Sequence, residues 1–203
     1  MIWAIKNEQR VLAEPNNLEA VCSICKSEVI PKCGSIKVWH WSHKSNKECD
    51  WWSEEETIWH KNWKNNFPKE CQEIILIGKE CEKHRADIKI NNLIIELQNS
   101  PLSSEDILKR EDFYNKTVGN MIWLLNGKEL CSGLCLKSKK DIFTFRWKHP
   151  AKTWWFANEK IYIDFNDLGI FLIKKIYKNI PCGGWGILLS RNEFLKNIKN
   201  GNI

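Results

Sequence analysis

The sequence predicts an α/β protein, and three observations support this fold class. Short apolar runs bounded by Gly, Pro or Asn predict strands, and two segments with capping residues predict helices. Over residues 51–127 their order is helix, three strands, helix, strand, which is typical of a layered α/β core. A Cys- and His-rich module, residues 1–50, precedes this core, and a basic, aromatic and β-rich extension, residues 128–203, follows it.

Composition predicts a folded chain with a modest positive charge. Hydrophobic residues make up 43% and charged residues 28% of the 203 residues, and the formal net charge is +6. This charge is compatible with a polyanionic partner, but abundant Lys and Asn can also reflect compositional bias. No apolar run approaches the roughly 18 residues that span a bilayer, and the first residues lack a secretory signal. We therefore expect a soluble, cytoplasmic protein with reduced thiols and no membrane partner.

The amino-terminal module predicts a zinc site. Two apolar runs flanking residues 6–10 predict a hairpin, and a set of soft ligands follows it: Cys22, Cys25, Cys33, His40, His43 and Cys49. Cys-x-x-Cys presents two thiolates from one turn, and a second pair completes the tetrahedron that zinc prefers. Because His40 and His43 point to opposite faces of a strand, we expect only one to ligate. The ligand set that we favour uses His43, with His40 as a substitute for it or for Cys49: Cys22, Cys25, His43 and Cys49.

Such a zinc ion would be structural, because four protein ligands leave no open position. The alternative is that Cys22 and Cys25 are buried small hydrophobic residues or a redox pair.

A first helix is predicted to begin after Ser53 and to run to about Asn66. Ser53 can act as its N-cap, with Glu56 closing a capping box three residues later. Glu56, His60 and Lys64 then recur every four residues and share one helical stripe. The alternative interpretation of this stripe is a solvated face that carries a capping Glu and an ion pair.

Three strands follow this helix. The first is the apolar run 72–77, and the other two form a predicted hairpin over residues 84–100, with a tight turn at Asn91 and Asn92. Asp87 and Glu96 each interrupt an apolar arm of this hairpin. A carboxylate in such a position is costly unless something binds it, so we expect the two to share a divalent cation. The alternative is that both acids lie on a solvated face.

A second helix and a buried strand complete the predicted core. Ser103 or Ser104 can cap a helix through Asn115, and the run 121–125 predicts a strand that is parallel to its neighbour through this crossover. In the extension, aromatic residues surround a basic patch at Arg146, Lys148, His149 and Lys152. These rings can stack bases, but we favour their packing against the domain. Residues 181–186 predict a tight turn.

One helix acid and two strand acids are the parts of a magnesium-dependent phosphodiesterase site. Carboxylates hold the hard cation, which polarises a phosphate and activates water. Two residues after the second strand acid, where nucleases usually carry Lys, this chain has Gln98. Gln98 can orient water but has no charge, so metal, Lys64 or Arg85 must meet the negative charge that develops.

Many motifs in one order resemble the competence protein CoiA-like nuclease family over most of residues 20–126. They are Cys22-x-x-Cys25, His40-Trp-Ser-His43, Cys49-Asp50, Glu56-x-x-x-His60-x-x-x-Lys64, His84-Arg-Ala-Asp87, Ile95-Glu96-Leu-Gln98, Arg110-Glu-x-Phe-Tyr114 and Met121-Ile-Trp123. The resemblance implies a restriction-endonuclease-like PD-(D/E)XK core after a zinc-ribbon-like module, and a role in DNA processing. It implies that Glu56, Asp87 and Glu96 bind metal and that Gln98 occupies the Lys position. It also implies that four residues line or support the site: His60, Lys64, Arg110 and Tyr114.

Three functions are compatible with these patterns. The first is a Mg²⁺- or Mn²⁺-dependent deoxyribonuclease that acts on single- or double-stranded DNA, with structural zinc. The second is a nucleic-acid-binding protein that kept the fold but cleaves weakly or not at all, and the third is a zinc-stabilised interaction module. The patterns do not determine the oligomeric state or the biological pathway.

Overall fold

The computed structural model describes residues 1–17, 19–45, 49–130, 134–139, 142–147, 151–178 and 182–203. These residues form two compact units, Met1–Lys89 and Ile90–Ile203. Each unit combines β-sheet with short helices, which confirms the mixed α/β class. Among the described residues, no helix has the length and apolar character needed to cross a membrane.

The first unit begins with an antiparallel sheet in the order β2-β1-β3-β4-β5. Its strands are β1 Trp3–Lys6, β2 Gln9–Leu12, β3 Ala20–Val21, β4 Glu28–Lys32 and β5 His40–His43. The predicted amino-terminal hairpin is confirmed by the pairing of β1 with β2. Its two turn residues, Asn7 and Glu8, both have positive φ, 48° and 65°, which suits the right-handed twist of a two-residue hairpin.

Helix α1 spans Ile58–Lys64 and is shorter than predicted. The prediction that Ser53 is its N-cap is wrong, because Thr57 has this role. The Thr57 hydroxyl accepts a hydrogen bond from the His60 amide, and the His60 ring accepts one from the Thr57 amide, which closes a capping box. Glu56 therefore precedes the helix, and only His60 and Lys64 of the predicted stripe lie on it.

Strands β6, Gln72–Ile77, and β7, Lys83–Ile90, are antiparallel neighbours. The pairs Gln72 with Ile88 and Ile74 with Ala86 flank Glu73 and Asp87. Glu73 has a φ of 48°, so the ladder is irregular at this position.

The second unit contains the other predicted core elements. Strand β8, Leu93–Gln98, leads into α2, Ser104–Thr117, and then into β9, Met121–Asn126. Ser103 caps α2 through a hydrogen bond from the Asp106 amide, as predicted. Strands β8 and β9 are parallel, which confirms the crossover. The turn before β8 contains Asn91, whose φ is 50°.

The segment after residue 126 continues the sheet of the second unit in the order β10-β11-β14-β13-β12-β9-β8. Strand β12 pairs with β9 in parallel, and the other added pairs are antiparallel. The elements are α3 Gly127–Leu130, β10 Leu134–Lys139, β11 Ile142–Trp147, β12 Lys160–Asp164, β13 Ile170–Tyr177, β14 Gly183–Leu189 and α4 Arg191–Lys199.

Two predictions for this extension can be compared with the structure. The tight turn at residues 181–186 is wrong, because Gly183 already begins β14. The glycines of β14 allow it to lie close to its neighbour β13, because a Cβ at Gly184 would collide with the Lys175 carbonyl oxygen. Packing of the aromatic rings is confirmed for three buried residues: Phe145, Trp147 and Trp154. In the basic patch, Lys148 and His149 lie outside the described residues.

Candidate functional site

A turn after β3 brings two cysteines of the first unit together. The Cys22 amide donates to the Ser27 carbonyl at 2.9 Å, and Lys26 has a φ of 62°, so the chain reverses tightly. Within this turn the Ile24 amide donates to Cys22 Sγ at 3.4 Å. This contact fixes the position of the Cys22 sulfur within the turn.

The four favoured ligands converge in the structure. One ligand atom from each of Cys22, Cys25, His43 and Cys49 lies within 4.8 Å of all the others. Cys22 Sγ is 3.6 Å from Cys49 Sγ, and Cys25 Sγ is 3.4 Å from His43 Nε2. Zinc–sulfur bonds of about 2.3 Å in a tetrahedron separate neighbouring sulfurs by about 3.8 Å, so this donor set fits the ion.

His40 lies outside this cluster. It is on the same strand as His43, three positions away, and its Nδ1 donates to the Val38 carbonyl at 2.7 Å. His43 is instead buried, with 2% of its surface exposed. The prediction that only one of the two histidines joins the cysteines therefore agrees with the geometry.

Electrostatics in the cluster favour a cation. Burial is the largest effect on the Cys49 thiol and, together with the neighbouring Cys22, raises its pKa to about 12. Burial also raises the pKa of Cys25, but hydrogen bonds with Ser27, His43 and Cys49 outweigh it and lower the value to about 6. Crowded thiols cannot all ionise unless a positive charge lies among them.

Arg85 supplies one such charge beside the cluster. Its Nη2 lies 3.7 Å from Cys22 Sγ. Burial lowers the pKa of Arg85, but Glu73, Cys22 and Asp50 raise it above its ordinary value. A zinc ion held by three thiolates and one imidazole would leave one net negative charge, which this guanidinium would offset. The sequence suggested that Arg85 contacts a phosphate. In the structure its guanidinium contacts Cys22, which indicates a structural role instead.

Asp50 connects the Cys/His cluster to β7. Its Oδ1 lies 2.9 Å from His84 Nδ1, and its Oδ2 accepts from the Arg85 amide at 2.8 Å. The Trp52 ring stacks on the His84 ring, with centroids 3.3 Å apart. Burial raises the pKa of Asp50, but these hydrogen bonds lower it below its usual range. Asp50, which directly follows Cys49, therefore attaches this end of the Cys/His cluster to β7.

An acidic cluster surrounds the buried amine of Lys64. Its Nζ lies 2.9 Å from Glu56 Oε2, 3.1 Å from Glu73 Oε1 and 3.1 Å from Asp87 Oδ1. The Lys64 side chain is 2% exposed and that of Asp87 is 22% exposed, so the cluster is open to solvent at Asp87. The solvated-face interpretation of Glu56, His60 and Lys64 is therefore wrong, because all three are buried.

Glu73 is a member of this cluster that the sequence did not single out. Its two carboxylate oxygens accept hydrogen bonds from the backbone amides of Ile2, at 2.8 Å, and Trp3, at 3.1 Å. Burial raises the pKa of Glu73, but Lys64 and Arg85 hold it well below its usual range. Burial likewise lowers the pKa of Lys64, but the three carboxylates raise it well above its ordinary value.

His60 lies on α1 next to this cluster, and other groups engage both of its ring nitrogens. Its Nε2 lies 2.9 Å from Glu54 Oε1, and its Nδ1 lies 2.8 Å from Thr57 Oγ1. Burial lowers the pKa of His60, but the bond to Glu54 and the charge of Asp87 raise it above its ordinary value. His60 is therefore held in place by Glu54 and the capping box.

The remaining predicted site residues lie in the second unit. Glu96 on β8 is 3% exposed, so a solvated face is also wrong for this acid. Arg110 Nη1 on α2 lies 3.5 Å from Glu96 Oε2. The Gln98 side-chain amide donates to the Ser100 carbonyl at 2.8 Å. Tyr114, one turn beyond Arg110, is fully buried.

Comparisons with known proteins give two matches. The family model "Competence protein CoiA, N-terminal domain" matches residues 5–51, which include the Cys/His cluster. The model "Competence protein CoiA, nuclease-like domain" matches residues 79–171, which include Asp87, Glu96 and Gln98. Helix α1 and Glu73 lie between the matched segments. No curated protein and no solved structure matches the chain.

Proposed function

We propose a nuclease function from one premise: the chain belongs to the competence protein CoiA family, as the resemblance predicted. In this proposal the protein hydrolyses phosphodiester bonds in DNA and depends on Mg²⁺ or Mn²⁺. One observation carries the proposal. Two predicted site acids, Glu56 and Asp87, meet at one buried cation, Lys64, in a chain with a nuclease-like domain.

The chemistry of the donors supports a hard divalent cation. Carboxylate oxygens are the ligands that Mg²⁺ and Mn²⁺ prefer, and Asp87 opens the cluster to solvent. Such a cation, when bound, polarises a phosphate and lowers the pKa of a water molecule. Glu56 and Asp87 would hold it, and Glu96 stays a predicted third ligand. Lys64 keeps its charge in this setting and would stabilise negative charge that develops on the phosphate.

The finer features of the fold belong to the same proposal. We place Glu56, Asp87, Glu96 and Gln98 in a restriction-endonuclease-like PD-(D/E)XK core. The Cys/His cluster would form a zinc-ribbon-like module, with zinc held by Cys22, Cys25, His43 and Cys49. Because all four positions of a tetrahedron are then filled by protein, this zinc supplies folding free energy and takes no part in catalysis.

Cleavage assays test the proposal. Purified protein is incubated with linear, nicked and single-stranded DNA, with Mg²⁺ or Mn²⁺ and with a chelator. We expect cleavage that requires the divalent cation and falls at least about 100-fold in Asp87→Asn and Glu96→Gln. Asp112→Asn, an exposed acid of α2, is the matched control and should cleave normally. Intact DNA in every reaction, with metal bound to the protein, would reject a nuclease.

A second function is favoured by Gln98. The residue has no charge, and its amide nitrogen donates to the Ser100 carbonyl. A protein of this fold that binds nucleic acid without efficient cleavage would account for this side chain. Its signature would be salt-dependent DNA binding that Asp87→Asn leaves unchanged, together with no cleavage by the unmodified protein.

A further inference from the structure

The second unit has a surface cleft that none of the predicted site residues lines. Its volume is about 330 Å³, at the lower end of the range of about 300–1,000 Å³ for ligand pockets. We call it the lysine cleft, after the residues that give it its character: Trp154, Trp155, Lys160, Lys174, Lys175 and Lys178. Its size suits a single nucleotide unit rather than a duplex.

One wall of the lysine cleft is held rigidly. Trp154 is buried and packs edge-on against Trp123 of β9, with ring centroids 5.1 Å apart. The buried carboxylate of Glu111 accepts hydrogen bonds from the backbone amides of Asn158, at 2.9 Å, and Glu159, at 3.2 Å. The segment between these anchors therefore presents its outward side chains without a large loss of conformational entropy on binding.

The lysine cleft is positively charged. Its four lysines are all exposed, two of them adjacent on β13. Glu159 is the acid among its lining residues, and the Oε1 atom of Glu159 accepts a hydrogen bond from Asn115 Nδ2 at 2.7 Å. The lining thus carries a net charge of +3, from four lysines and one glutamate. Exposed lysines at this density attract a polyanion.

Aromatic rings lie close to lysine amines in the lysine cleft and next to it. The amine of the lining residue Lys178 lies 5.6 Å from the ring centroid of Phe156, which is 54% exposed and directly follows the lining residue Trp155. The Trp155 ring lies 6.0 Å from Nζ of Lys152, which is not a lining residue. An exposed cation–π contact contributes about 0.5–1 kcal/mol, whereas a base stacked on an aromatic ring contributes about 1–3 kcal/mol. A base can therefore displace the flexible amine, which is then available for a phosphate.

We propose that the lysine cleft binds single-stranded DNA, with phosphates at Lys174, Lys175 and Lys178 and a base on Phe156, which lies beside the cleft next to Lys178. A single strand is favoured over a duplex because only unstacked bases offer a face to a ring. The inference rests on the proposed function in taking DNA as the polymer. It assigns strand binding to residues other than the metal-binding acids.

Binding in the presence of a chelator tests this proposal without cleavage. Fluorescence anisotropy is measured with a labelled oligothymidylate and with a duplex of equal length over a series of salt concentrations. The variant Lys174→Ala/Lys175→Ala/Lys178→Ala should bind the single strand more weakly. Its log–log salt slope should fall by about 2, since each phosphate contact contributes about 0.7. Phe156→Ala should lose about tenfold in affinity.

Control variants carry substitutions of the same kind elsewhere in this unit. Lys196→Ala/Lys199→Ala removes exposed charges from α4, and Leu168→Ala removes an exposed apolar side chain. Both controls should bind like the unmodified protein. An unchanged salt slope in the triple variant, an equal loss in the controls, or tighter binding of the duplex would overturn the proposal. Cleavage with Mg²⁺ is scored separately, so failure of the nuclease function leaves this binding result decisive.

Discussion

Oε1 of Glu73 lies 3.1 Å from Nζ of Lys64, and both side chains are 2% exposed. The same Nζ lies 3.1 Å from Asp87 Oδ1, so Glu73 and Asp87 share this amine. Two carboxylates this close repel one another, and the amine between them offsets this repulsion. Lys64 therefore holds the acidic cluster together.

Lys64→Met should strongly destabilise the protein. The substitution keeps the apolar stem but leaves Glu56, Glu73 and Asp87 without their shared cation. Removing one partner of a buried ion pair costs about 3–5 kcal/mol in the free energy of unfolding, which urea denaturation measures. Lys61→Met, at an exposed position of the same helix, is the control and should cost less than about 0.5 kcal/mol. Equal losses in the two variants would contradict this role for Lys64.

Glu73→Gln should destabilise the protein less than Lys64→Met. The amide keeps one oxygen acceptor, but its NH₂ group then faces a backbone amide of residue 2 or 3 that loses its acceptor. Leaving a buried donor unsatisfied costs about 1–3 kcal/mol in the free energy of unfolding. Glu70→Gln, at an exposed position, is the control and should be close to neutral.

A double-mutant cycle separates the ion pair from these backbone contacts. If Glu73 acts through Lys64, the effects of Glu73→Gln and Lys64→Met on the free energy of unfolding are not additive. The double variant should be more stable than the sum of the two single losses predicts. Additive losses would show that Glu73 stabilises the protein only through the amides of Ile2 and Trp3.

The sequence predicted the Cys/His cluster well because its signal is local. Cys22 and Cys25 are joined by one turn, and the period of two along a strand separates His40 from His43. The acidic cluster was harder to predict. The usual sequence pattern for a capping box, Ser or Thr followed three residues later by Glu or Gln, is met by Ser53 with Glu56, whereas the box that forms uses Thr57 with His60.

Tertiary contacts decide between these two boxes. The carboxylate of Glu56 is engaged by buried Lys64, so it is not available to cap, and the helix begins at Ile58 after the N-cap Thr57. The role of Glu73 likewise depends on tertiary contacts that the local sequence does not predict. In the sequence it is an ordinary acid at the start of an apolar strand. Its role depends on amides some 70 residues away and on a φ of 48°, which no local pattern encodes.

If the Cys/His cluster holds structural zinc as proposed, Cys22→Ser should prevent zinc binding and unfold much of the first unit. The serine hydroxyl is a poor zinc ligand, and structural zinc supplies folding free energy. We expect elemental analysis to give about one zinc per unmodified chain and far less for the variant. Circular dichroism would report the loss of structure. Cys33→Ser, a cysteine outside the cluster, should retain both zinc and fold.

The hydrogen bond between Glu54 and His60 should make stability depend on pH. Burial lowers the pKa of His60, but Glu54 and the nearby carboxylates of Asp87 and Glu56 raise it above the ordinary value. A raised folded-state pKa stabilises the protein fully below the unfolded value of about 6.5. This contribution is lost as pH rises through the folded-state pKa, because the imidazole then loses the proton that Glu54 favours.

Glu54→Gln should lower the pKa of His60 and remove part of that pH dependence. The amide still accepts a hydrogen bond from Nε2, but it no longer stabilises the charged ring, so the imidazole gives up its proton at lower pH. NMR titration of the His60 ring measures the pKa, and urea unfolding across the same pH range measures the stability. The neighbouring Glu55→Gln is the matched control, because Glu55 is exposed and pairs with Lys37. A His60 pKa that falls equally in both variants would mean that general surface charge, and not the bond to Glu54, sets its value.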